Sequence, residues 1–155
     1  MRSRTELEKA LKEAIGQKKI EKTKQLMKLI KADSAEKNPP GLESKDLENR
    51  SFLCFALAVG AEEIATHLLQ LQENKPNIIY KADNYKRTLI SYAVEQGCNE
   101  ILKKLIRLSE SEQSDSREYR IWLKVDINGN SPLMWAVKSG NLIATELLLN
   151  KICRE

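Results

Sequence analysis

Histidine is almost missing from this chain, with His67 the single example in 155 residues. One imidazole builds no metal site, and His67 has no nearby nucleophile and base with which to form a triad. Cysteine is scarce too: Cys54, Cys98 and Cys153 are odd in number, far apart and never in a CxxC pair. That pattern argues against a disulfide framework or a zinc site and fits a reducing compartment. No apolar run reaches the roughly eighteen residues of a membrane span, and RSRTELEK after Met1 lacks a signal core, so a cytoplasmic location is expected. Phosphate-loop, nucleophile-elbow and HExxH motifs are missing, and no carboxylate pair converges, so no cofactor and no catalysis are expected. The net charge of +4 falls short of the clustered excess of nucleic-acid binders.

What is present is a pattern. In Asp126 to Leu149, DINGNSPLMWAVKSGNLIATELLL, Ser131 and Pro132 make a helix start, since the hydroxyl accepts an orphan amide bond and proline at the first position loses none. Gly140 suits the left-handed residue past a helix end. Ile143, Ala144, Leu147 and Leu148 then share one helical face, and Asp126 to Gly129 has turn chemistry.

This stretch resembles the ankyrin repeat. Asp126, Gly129, Ser131, Pro132, Leu133, Ala136, Gly140, Leu147, Leu148 and Leu149 match its pattern in order, while Met134 replaces the histidine and Val137 the second alanine. Earlier copies follow the same spacing: Gly97 with Thr88, Ala93 and Asp83, and Gly60 with Ser51, Ala56 and Asp46. Leu11, Ala14 and Ile20 fit a fourth copy in which Lys18 stands in the glycine's place. Positions 18, 60, 97 and 140 are 42, 37 and 43 residues apart. An ankyrin period is about 33 residues, so the excess is read as insertions in the connections.

The resemblance implies an all-α solenoid of about four helix-turn-helix repeats with short β-hairpin fingers. One domain over 1–155 is expected, with repeats near 5–32, 46–72, 83–108 and 126–150 and inserted loops at 33–45, 73–82 and 109–125. Asn49 takes the turn glycine's place in the second repeat, and SESEQSDS, 109–116, reads as an acidic mobile segment. In YRIWLKV, 119–125, Tyr119, Ile121, Leu123 and Val125 alternate with Arg120, Trp122 and Lys124, the period of a half-buried strand, and NIIYKAD, 77–83, aligns with it. These segments are read as finger arms. Cys54 falls where the family has its histidine and is read as a small buried thiol, and His67 as a partly covered structural residue.

Two features carry a sharper and a plainer reading. Residues 1–31 hold ten Lys or Arg against four Glu, which suits either an anion-binding surface or the solvated cap that ends a solenoid. Phe55, Tyr92 and Trp135 take one position in successive repeats, either as a base-stacking row or as packing between neighbouring inner helices. Cap and packing are the readings adopted. Leu147, Leu148, Leu149 and Ile152 are expected to leave apolar surface that invites self-association through the final repeat or further repeats beyond it.

The function implied by the resemblance is the holding of a partner protein in the concave groove and at the fingers. The positions implied are Arg50, Tyr85, Arg87, Asn128 and Asn130 beside the turns, with Glu95 and Lys138 along the inner helices. Trp122, on the polar side of its strand, is a candidate anchor. Eighteen Lys against eight Arg hints at an AT-rich genome, and with the insertions it resembles ankyrin proteins that intracellular bacteria deliver into host cells. The alternative is acidic lipid or RNA bound by the basic amino-terminal helices.

Overall fold

A computed structural model of the protein describes residues 3–32, 50–71, 76–111 and 120–154. Its helices come in four pairs: α1 (Arg4–Gly16) with α2 (Ile20–Ala32), α3 (Phe52–Ala58) with α4 (Glu62–Gln70), α5 (Leu89–Glu95) with α6 (Asn99–Ser111), and α7 (Pro132–Lys138) with α8 (Leu142–Cys153). The first helices of the pairs stack α1 on α3 on α5 on α7, and the second helices form a parallel outer row. Ala14, Ala56, Ala93 and Ala136, one per pair, are fully buried, and the missing bulk lets successive helices approach closely. One apolar core runs unbroken from Leu7 to Leu148. The fold is an all-α repeat solenoid.

Hydroxyl caps start the inner helices where the sequence placed them. Ser51 accepts from the Cys54 amide and Ser131 from the Met134 amide, each at 3.2 Å. Thr88 departs from the pattern, for its buried hydroxyl makes no capping bond. The four turns between paired helices are closed identically, by amide bonds of 2.9 Å from Lys19, Ala61, Cys98 and Asn141 back to the carbonyls of the four alanines. Gly60, Gly97 and Gly140 sit in these turns at φ of 71°, 73° and 68°, and Lys18 takes the same conformation at φ 55°. Lys18 is thus a glycine position filled by lysine. Lys86 is its counterpart at the tip turn, at φ 56° where the next turn has Gly129 at 78°. Because a Cβ is strained there, Lys18→Gly and Lys86→Gly are each expected to raise stability by up to about 1 kcal/mol, and Gly140→Ala to lower it by about 1 kcal/mol. Urea unfolding of the three variants checks the signs.

The finger arms are a correction. Among the described residues no strand forms: Pro76–Tyr80 and Ile121–Leu123 are short 3-10 helices, and the tips keep hairpin-like bonding. Asp126 N–H donates to Asn130 O at 3.0 Å, as Asp83 N–H does to Arg87 O at 3.1 Å, and Ile127 N–H links the two tips through Tyr85 O at 2.9 Å. The alternation misled because it counted Trp122 as polar. Its ring makes Ile121 and Trp122 an adjacent apolar pair, and a tight turn buries both while leaving Leu123 and Val125 in solvent. Asp46, Asn49, Tyr119, the loop 33–45, residues 73–75 and residues 112–119 lie outside the described residues.

Polar links tie one pair to the next. Glu62 Oε1 on α4 accepts from the Glu100 and Ile101 amides at the start of α6, at 3.0 and 3.1 Å. Asn141 accepts from the Ala144 amide of its own helix and donates to Val94 O and Asn99 Oδ1 at 3.0 and 2.9 Å. Cys54 is buried and His67 half-buried. Of the four terminal residues expected to expose apolar surface, Leu148 is fully buried and Leu147 and Ile152 half-buried, leaving Leu149 exposed.

Candidate partner-binding face

The inner row carries a repeating device built on an aspartate. Asp126 Oδ1 accepts from the Asn128 and Asn130 amides at 2.9 Å, closing the tip turn, while Oδ2 accepts from Trp135 Nε1 at 2.9 Å. Asp83 repeats it, with Oδ1 accepting from the Tyr85 and Arg87 amides at 2.9 Å and Oδ2 taking a short bond from the Tyr92 hydroxyl. Each turn is thereby fixed to the ring nine residues on. Burial opposes ionisation of Asp126, yet the bonds from Asn130, Trp135 and Asn128 outweigh it and hold the carboxyl below its ordinary range. Burial, reinforced by the bond to Asp83, pushes the Tyr92 phenol well above its ordinary range.

Cations interleave the rings. The Arg87 guanidinium lies between Tyr92 and Trp135, 4.0 and 4.1 Å from the ring centroids, and pairs with Glu95 Oε2 at 2.6 Å. Lys138 Nζ also approaches Trp135, at 5.6 Å from the centroid, and donates to Asn130 Oδ1 at 2.6 Å. Lys12 and Arg50 approach Phe55 at 5.0 and 5.6 Å. Phe55 and Trp135 are half-buried and Tyr92 is buried, so the row is packing, as the sequence suggested. Between Tyr92 and Trp135 the packing runs through a stacked cation.

The sequence-derived positions therefore separate. Tyr85, Asn128 and Lys138 are exposed, and Asn130 and Arg50 half-exposed. Arg87 and Glu95 are engaged with each other inside the row, so Arg87 is not the free groove residue it was taken for. Trp122 is a correction as well: its ring is 4% exposed, with Lys151 Nζ 4.5 Å from the centroid, and Lys151 pairs in turn with Glu110 at 2.6 Å. It is core, not a surface anchor. Sequence reasoning missed the aspartate-to-ring bond, although a signal was there: Tyr92 and Trp135, each nine residues after an aspartate, both carry a donor.

Burial, with the nearby Glu62 charge, raises the Cys98 thiol to about 11, which makes it a poor nucleophile at neutral pH. Among the described residues no group of three His, Cys, Asp or Glu side chains is placed to hold a metal ion, and no helix is long and apolar enough to cross a membrane. Residues 53–154 match the ankyrin repeats family, in three copies. No curated protein matches the sequence.

Proposed function

Because the chain belongs to the ankyrin-repeat family, whose repeats generally serve protein-protein interaction, we propose that it holds its partner protein across the tip turns and the inner row of helices. The observation that carries this reading is the division of labour at the tips. The Asp83 and Asp126 side chains and the backbone bond between Ile127 and Tyr85 fix both turns from within, which leaves the Tyr85 and Asn128 side chains outside the fold. Tyrosine held on a rigid turn is an economical anchor, since it buries large area and loses little freedom on binding. Lys138 and Asn130 extend the face towards α7, where half-buried Trp135 lies beside Arg87 and Lys138.

The test begins with affinity capture from a cell lysate to identify the bound protein. Tyr85→Ala and Lys138→Ala are then expected to weaken that protein's binding by about 1 to 4 kcal/mol and about 1 kcal/mol respectively, with melting unchanged. Binding at wild-type strength by both variants would exclude the face. Delivery into a host cell is carried by the lysine excess and the insertions, and it specifies where the partner is met rather than how. Phosphate chemistry on the amino-terminal helices is the competing reading. It predicts affinity that falls steeply with salt, whereas the tip-and-groove interface predicts a shallow dependence.

A further inference from the structure

The two described tips, 80–87 and 123–130, hold apolar side chains in solvent. Tyr85, Val125 and Ile127 are 47%, 52% and 59% exposed. The end of the chain does not account for this. Val125 and Ile127 take the positions of Ala82 and Asn84 one repeat earlier, and those two residues are exposed with the whole of the next repeat in place. Exposure is thus a property of the tip, and the residues that meet it in the last repeat are apolar. They are also held still. Asp126, between them, is turned inward onto Asn128, Asn130 and Trp135, while the bond from Ile127 N–H to Tyr85 O joins the two tips.

The charge that these tips show to solvent has one sign. Lys81 and Lys86 on the first tip are exposed and Lys124 on the second is half-exposed, while exposed Lys138 continues the row at the end of α7. The acids of the two tips are Asp83 and Asp126, both buried and engaged by the turn amides and the rings, and Glu95 beyond them is paired with Arg87. Taking the tips as the partner-binding face, as above, we propose that the partner meets them with an acidic segment in which carboxylates are interspersed with apolar side chains. The apolar side chains cover Tyr85, Val125 and Ile127, and the carboxylates face the lysines on either side. Opposite charge steers such a segment and sets its register, and the apolar contact supplies the affinity. Nucleic acid or anionic lipid fits less well. Phosphate binding is carried by many cations together, whereas here three tip lysines flank apolar surface that a phosphate does not use.

A displayed library of random peptides panned against the 155-residue chain is the test. The recovered peptides are expected to be rich in Asp and Glu with apolar side chains among them. Ile127→Ser, and Lys81→Glu combined with Lys124→Glu, should each weaken those peptides about tenfold with helix content and melting unchanged. Leu29→Ser, at the opposite end of the stack, should leave their binding as it is. Recovery of basic or uncharged peptides, recovery of none, or acidic peptides that bind Ile127→Ser at wild-type strength overturns the proposal. So does displacement of the peptides by phosphatidylserine vesicles or an oligonucleotide at equal charge concentration, which would make the tips a phosphate site. Tyr85→Ala against the captured partner tests the face itself. Loss of binding there, alongside peptides that lack acid, removes the acidic segment alone; wild-type binding by both Tyr85→Ala and Lys138→Ala removes the face.

Discussion

Trp122→Ala is expected to lower the free energy of unfolding by about 3 to 5 kcal/mol, the usual cost of emptying a large aromatic site in a packed core. The ring fills the space between α6, α7 and the stem of Lys151, and it is nearly closed to solvent. Its removal also strips Lys151 of the face it lies over, while the Lys151–Glu110 pair is left holding two helices across a void. Against a total stability of about 5 to 15 kcal/mol, this one change brings the chain close to its unfolding threshold. Urea denaturation followed by circular dichroism measures it. A midpoint unchanged from wild type would mean that the ring is not core.

The second large effect is at Asp126. Asp126→Ala orphans the Asn128 and Asn130 amides and the Trp135 indole together, for an expected loss of about 2 to 4 kcal/mol. Asp126→Asn should cost less, because the amide oxygen still closes the turn while its NH2 faces the indole donor. Acid separates the two further. The folded carboxyl titrates below its unfolded value of about 3.9. The stability it contributes is therefore complete above that unfolded value and is lost as pH falls through the lower folded one. Melting temperature against pH should fall less steeply below pH of about 4 in Asp126→Asn than in the wild type. Parallel curves would remove Asp126 from the acid response.

The repeats were legible because their signals are local and steric. A hydroxyl at 51 or 131 and a glycine at 60, 97 or 140 each meet a backbone requirement that no distant residue can alter, and the alanines at 56, 93 and 136 recur at a fixed spacing from those glycines. The same spacing identified Lys18, although lysine has no preference for the conformation it adopts there. The finger arms and Trp122 were misread for one shared reason. Period-two alternation over seven residues does not separate a strand from a tight turn, and tryptophan belongs to neither class until its neighbours are known. Arg87 was misplaced because its sandwich depends on residues 92 and 135, which only the stacking of α5 on α7 brings together.

The bond from Glu62 to the amides of Glu100 and Ile101 bears on how the chain comes apart. Those amides are among the four that a helix cannot satisfy internally, and starting a helix is the unfavourable part of making one. For α6 the acceptor is supplied by α4, so the initiation of one repeat is conditional on its predecessor being in place. At this step the dependence runs one way: fraying of α8 leaves Glu62 on the α6 amides, whereas melting α4 withdraws it. Amide exchange at Glu100 and Ile101 therefore records the opening of α4 as well as that of their own helix.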